Sequence, residues 1–414
     1  MSPARSSLLL LLVFPVALTA QTCTTPDLTA PLQQLKAVQS KLLAFKLHDE
    51  MDESVPPPLQ SQIGALKDAF ATLADAAVTC TSENVDPKSL ETTLAKLVDA
   101  NNPEVQEVYD PKKPPQLDQI YGNDLRVKVS RPQSEPQVLL VEFNFGIDCG
   151  FDSMLLAYEQ RSGAWEQVLR WQSTLYDSVG DAFGDFFNYA VLPGEDSNHW
   201  KLAVAHGAPW CTSRWSSFGL DLIQPTSRGA WPKVLEHINH EFVRFEVEPS
   251  LKPVPEGFQL RLQTGMIDMD VMTRIGIYRY RVTGTHMERV QPIAINGRDF
   301  VDEWLQSPWT DAARWSAAVR SAELKQVHEK IAALTDPNAK ERPLLTFGPV
   351  RGCTDAKPHY QVELDEEWVE DKGNSRPDSP TYFQIEEGKN SFTMLSATAR
   401  ADPHCTRPDI MARH

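Results

Sequence analysis

No stretch of the sequence approaches the ~20 consecutive apolar residues that a helix needs to cross a bilayer, so no membrane span is expected in the mature chain. None of its six cysteines is arranged as C-x-x-C, which removes the local signature of a thioredoxin-type redox pair and of a paired-cysteine zinc knuckle. No asparagine stands in an N-x-Ser/Thr sequon, which points toward a bacterial envelope over a glycosylated secretory route. Basic side chains are scarce: 40 Lys and Arg stand against 56 Asp and Glu, for a net charge of −16. Such a surface repels phosphate backbones, and nucleic-acid binding is set aside. Also missing are a Gly-x-Ser-x-Gly elbow, a phosphate loop and a Gly-x-Gly-x-x-Gly dinucleotide turn, which lowers the standing of α/β-hydrolases, P-loop NTPases and Rossmann oxidoreductases. No cofactor is expected.

The amino terminus carries one basic side chain, Arg5, and an apolar run from Leu8 to Ala20 broken only by Pro15 and Thr19. That run has the length of a signal-peptide core, and Ala20 is a small residue suited to cleavage before Gln21. We therefore expect residues 1–20 to be removed on export, and the mature protein to be secreted or periplasmic. An even number of cysteines in an exported chain reads as disulfides. Sequential pairing of Cys23 with Cys80, Cys149 with Cys211 and Cys353 with Cys405 keeps each bridge within one structural region. An even count also opposes a cysteine nucleophile.

Hydrophobic residues make up 41% and charged residues 23%, ordinary values for a globular protein and enough for real cores. Residues 21–100 read as a helical bundle. Leu28, Leu32, Leu35, Val38, Leu42 and Leu43 recur at helical spacing, as do Leu59, Ile63, Leu66, Phe70, Leu73 and Ala77 after the Pro56-Pro57-Pro58 break. Asp86 followed by Pro87 marks the start of a third helix. Residues 101–123, rich in proline and charge, read as a linker. From 124 to 298 short β runs follow one another, with hairpin turns at Ser162-Gly163 and Thr283-Gly284. Helix returns over 299–336, with Ser307-Pro308 read as an N-cap, and 337–414 read as a C-terminal β segment completing the β-rich body. The fold class is α+β: a helical bundle, then antiparallel hairpins forming a degenerate propeller or a sandwich, with an inserted helical pair.

Few constellations carry chemistry. Asp177, Asp181 and Asp185 are spaced by four, with Asp148 and Asp152 upstream, and oxygen ligands of that kind can hold a hard cation. Gly180 and Gly184 argue for a loop, and a solvated acidic loop is the ordinary reading. Asp268 and Asp270 suggest paired carboxylates, but two acids in a turn are usually plain surface. His237, His240 and Glu241 would be metal ligands only without the usual H-E-x-x-H helix, and partly buried histidines are the simpler reading. His206 is expected to pack near Trp210 and Cys211. The sequence has ten tryptophans; exposed ones can platform sugars or peptides, although most such residues are core. No catalytic residue is identified. The leading expectation is a non-catalytic envelope protein that binds an extracytoplasmic ligand or protein partner. The alternative is a secreted hydrolase acting on polysaccharide or peptide through carboxylates such as Asp148, Asp177, Asp181 or Asp185.

Overall fold

A computed structural model describes residues 27–46, 53–81, 84–100, 102, 120–148, 150–194, 200–209, 215–226, 232–243, 247–290, 294–336, 338, 342–354, 358–368, 380–389 and 391–411. The expected signal segment, most of the expected linker, and Cys23, Cys149, Cys211, Trp210 and Trp231 lie outside these residues. So does the side chain of Asp185.

Three helices come first: α1 (Thr29–Leu43), α2 (Pro57–Thr79) and α3 (Pro87–Asp99). Helix α3 starts where Asp86 predicts, its carboxylate accepting the backbone N–H of Lys88 and Ser89 while Pro87 occupies the first helical position. The chain then makes β1 (Arg126–Ser130), β2 (Val138–Ile147), β3 (Gly150–Arg161) and β4 (Ala164–Gln172), joined in that order into an antiparallel sheet. Strand β2 is apolar on both sides, VLLVEFNFGI, because both faces of its sheet are covered. One face meets the helices, where Phe70 of α2 stacks on Phe143 with ring centroids 3.8 Å apart. Leu66, Leu73, Leu94, Leu139 and Tyr158 belong to the same core. Each large apolar side chain buried there contributes about 1.5–3 kcal/mol.

The second sheet comprises β5 (Gly184–Leu192), β6 (Lys201–Gly207), β7 (Trp215–Gln224) and β8 (Lys233–Val243). Leu202, Val204 and Ile223 on one of its faces pack against Leu140, Leu155 and Leu169 of the first sheet. Its opposite face, with Phe218, Leu220 and Phe242, meets the third sheet of β9 (Ser250–Val254), β10 (Gly257–Gly265), β11 (Thr273–Thr283) and β12 (His286–Arg289). Helices α4 (Gly297–Gln306), α5 (Trp309–Ala312) and α6 (Ser321–Leu334) follow, and Phe300, Trp304, Leu324 and Ile331 share a core with the last sheet. That sheet is β13 (Leu344–Gly352), β14 (His359–Glu367), β15 (Thr381–Glu387) and β16 (Phe392–Thr398). The result is β-rich: four four-stranded antiparallel sheets and a few helices.

Two local readings are corrected. Ser307 closes α4, its N–H bonded to Glu303 O at 3.0 Å, while Pro308 and not Ser307 stands at the entry to the short α5; the real cap of α4 is Asn296, whose side chain accepts from Asp299 N–H. Asp268 is not plain surface: it is buried, and its carboxylate accepts backbone N–H groups from Asp270, Val271 and Phe347. It is a turn anchor.

Cys353 and Cys405 form a disulfide that ties β13 to the carboxyl-terminal segment. Cys80 is also disulfide-bonded, to a partner outside the described residues. Among the described residues no helix is long and apolar enough to cross a membrane.

Candidate functional site

Between the first two sheets the chain runs from β4 to β5 through residues 173–183, and this connection carries Asp177 and Asp181. Gly180 keeps the segment from forming the helix that four-residue spacing would otherwise suit. It makes a single 3-10 turn at Val179–Asp181, with Ser178 Oγ accepting the Gly180 N–H. Outside, it pairs with the strand-like residues before α2: Val55 N–H donates to Asp177 O at 2.8 Å and Val179 N–H to Glu53 O at 2.9 Å.

Inside, it is anchored on Asp152, which is fully buried on β3. That carboxylate accepts Lys67 Nζ at 2.6 Å, the Tyr176 hydroxyl at 3.0 Å, the Ser173 hydroxyl at 3.2 Å and the Phe183 N–H at 3.2 Å. Both ends of the connection thus hang on one charge. Burial pulls the Lys67 ammonium below its usual range, opposed by the attraction of Asp152. Burial, reinforced by the neighbouring carboxylate charge, pushes the Tyr176 phenol well up, so it stays protonated and donates.

Above this anchor opens a cleft of about 740 Å³, lined by Asp177, Asp181, Trp171, Phe183, Gln60 and Val234 among others. A second hollow of about 450 Å³ adjoins it across Gln172, Thr174 and Leu175 and reaches Lys67 and Ser173. Asp177 and Asp181 are exposed in the cleft, whereas Trp171 is half-buried, and its indole N–H has no hydrogen-bond partner among the described residues. The Trp171 and Phe183 rings lie 5.7 Å apart.

Behind Phe183 sits a polar chain on the second sheet. Phe183 stacks on His206 at 3.8 Å; His206 Nε2 lies 2.7 Å from buried Asp221, and Asp221 lies 2.6 Å from His237 Nδ1. The two imidazoles close over Gly219, where a methyl would lie 2.5 Å from His206 and 3.2 Å from His237. Gly219→Ala is expected to displace both rings and to cost about 1–3 kcal/mol, read as a lower denaturation midpoint.

The expected residues divide accordingly. Asp177 and Asp181 share the cleft, Asp152 lies beneath it, and Asp148 is buried without lining it. His237 and His240 cannot be joint ligands, because three residues along β8 put them on opposite faces, one toward Asp221 and the other 2.7 Å from the Tyr280 hydroxyl. His206 packs on Phe183 and Asp221. Among the described residues no three His, Cys, Asp or Glu side chains converge as a metal site. Lys67 was missed by pattern reading, although its position on the apolar face with Ile63, Leu66 and Phe70 was a signal that a buried charge would need a partner. Of the tryptophans, Trp165, Trp200, Trp304 and Trp315 are core and Trp215 is exposed.

No family model matches the chain, and no curated protein matches it. Among solved structures it is similar to an α-L-arabinanase of Penicillium chrysogenum, at 11% identity over 69% of each chain with a TM-score of 0.26. It is also similar to a GH93 α-L-arabinofuranosidase of Fusarium graminearum, at 10% identity over 62% of each chain with a TM-score of 0.25. A third is the mannose phosphorylase MPT-4 of Leishmania mexicana, at 9% identity over 62% of each chain with a TM-score of 0.17. The chain thus spans less than two thirds of the latter two. All three are named as enzymes acting on carbohydrates, and the expectation of a non-catalytic binding protein is not carried forward. Likeness at this level assigns neither substrate nor residues.

Proposed function

We propose that the protein is an exported hydrolase of polysaccharides that works through Asp177 and Asp181 in the cleft between the first two sheets. The observation that carries this reading is the company those carboxylates keep: an open cleft of about 740 Å³ with the half-buried Trp171 and Phe183 rings beside them. A sugar ring has apolar C–H faces that suit an aromatic plane and hydroxyls that suit carboxylates. Glycosidic cleavage needs two carboxyl groups, one to protonate the leaving oxygen and one to attack the anomeric carbon or activate water. The anchored connection fixes both on one short segment, and Asp152 with Lys67 supports it from below.

Export is supported by the Cys353–Cys405 bridge, which suits an oxidising compartment, together with the sequence of residues 1–20. Four consecutive four-stranded meanders also support the degenerate-propeller reading of the β body over the sandwich, because each is built from contiguous chain like a blade.

The test is release of reducing ends from a panel of neutral and acidic polysaccharides by the purified mature protein. Asp177→Asn and Asp181→Asn are each expected to lower kcat by roughly 10²–10⁴-fold, and Trp171→Ala to raise KM chiefly. Activity that survives both aspartate substitutions would overturn the assignment.

A further inference from the structure

A second cavity, of about 620 Å³, lies on the far side of the second sheet, between β8, the β11–β12 hairpin and the α4–α5 corner. Beneath it lies a buried charge network, whose Arg289 reaches the lining. Arg274 of β11 donates to Asp302 and Glu303 of α4, and Arg289 Nη2 donates to Glu303 at 2.6 Å. The Arg289 guanidinium lies 4.2 Å above the Tyr278 ring, and its Nε, also buried, has no hydrogen-bond partner among the described residues. Next to it His240 Nε2 stands 2.7 Å from the Tyr280 hydroxyl. Burial, with the Arg289 charge beside it, lowers His240 to about 4, so the ring is neutral and offers both a donor and an acceptor.

Charge decides what this cavity can take. Beneath the cavity, two guanidinium groups are matched by two carboxylates. At the rim Arg314 is held by Glu288 at 2.9 Å and by Asp311 at 2.7 Å, and His286 by Glu236 at 2.9 Å. An anion would meet the rim carboxylates, and a cation would meet Arg289 and Arg314. A neutral molecule carrying both donors and acceptors meets neither penalty. The lining also offers the hydroxyls of Ser307 and Thr310 and an apolar strip of Ile238, Met287 and Pro308 against which C–H groups can lie.

We infer that this cavity is a second binding site, for a neutral saccharide, in which ligand hydroxyls bond the Tyr280–His240 pair and the Ser307 and Thr310 hydroxyls of the lining. The site stands on its own chemistry: loss of hydrolysis in the cleft leaves it unchanged, and its failure leaves the cleft unchanged.

The experiment follows the His240 Cε1–H resonance in full-length mature protein titrated with xylotetraose, arabinotetraose and mannotetraose, with a galacturonate tetramer as the charged control. At least one neutral tetrasaccharide is expected to shift that resonance at millimolar concentration, equally in Asp177→Asn. Tyr280→Phe is expected to weaken binding roughly three- to tenfold, the loss of one or two hydrogen bonds. Thr310→Val, on the exposed rim, provides a milder change should Tyr280→Phe perturb folding. The inference is overturned if no neutral tetrasaccharide shifts the resonance. Tighter binding of the galacturonate tetramer, or affinity untouched by both substitutions, overturns it as well.

Discussion

Glu303→Gln is expected to destabilise the protein by about 3–5 kcal/mol, because it leaves Arg274 and Arg289 buried with too little negative charge. Arg274 is nearly inaccessible in its ion pairs with Asp302 and Glu303, and Arg289 almost equally so. The two guanidinium charges hold the Glu303 carboxyl down at about 2 against the opposing effect of burial. The sign of the pH dependence follows. A carboxylate whose folded pKa lies below its unfolded value of about 4.5 adds stability that is full above that value and is lost as pH falls toward 2. The difference corresponds to about 3 kcal/mol. His240 acts in the same direction but earlier: lowered to about 4 in the folded protein, it costs stability as pH falls from its unfolded value near 6.5. Wild-type denaturation midpoints should therefore decline below about pH 6.5 and more steeply below about pH 4.5. In Glu303→Gln the second, steeper part should flatten. A variant as stable as wild type at neutral pH would show that the network does not hold the third sheet to α4.

Lys67→Met should be nearly as damaging, by about 3–5 kcal/mol, since it strips the ammonium from a carboxylate with no access to water. The double variant Lys67→Met, Asp152→Leu removes both charges, so its stability should return most of the way toward wild type, as buried pairs exchanged for apolar groups commonly do. Its activity should not return, because the anchor for residues 173–183 has gone. Urea denaturation together with the reducing-end assay separates these outcomes. Recovery of both would mean that Asp152 is a packing group with no hold on the cleft.

Much of the local structure was legible. Ser162 and Gly163 both take positive φ, 51° and 83°, the requirement of a tight hairpin turn between twisted strands. Asp86-Pro87 and the leucine spacing of α2 were equally direct, because these signals act within a few residues. What escaped was set at a distance. Lys67 and Asp152, or Arg274 and Glu303, meet only after sheets and helices pack, and neither pair leaves a mark in local spacing. Strand β13 escaped for another reason: Pro349 falls inside it, which argues against a strand unless it is an edge strand with a bulge. Here β13 is at the edge, and the register shifts between Phe347 and Val350. Strand β8 is mostly half-exposed, so its apolar alternation is thin. Asp177 and Asp181 were visible as a cluster, but the cleft around them was not, since Trp171, Gln60 and Val234 come from three separate elements.

Within every sheet each strand pairs with its neighbour in sequence, and none of these strands crosses to another sheet. Assembly can therefore proceed in chain order, each strand pairing with the next one along the chain at modest entropic cost. Covering the faces is another matter, and the first sheet meets it earliest. Its helices cover one face, but Leu140, Leu155 and Leu169 on the other stay uncovered until the second sheet arrives. A chain emerging amino-terminus first would pass through a stage in which that apolar face is open to water. That stage is where a chaperone would be needed and where truncation after about residue 172 would yield aggregates instead of a stable fragment.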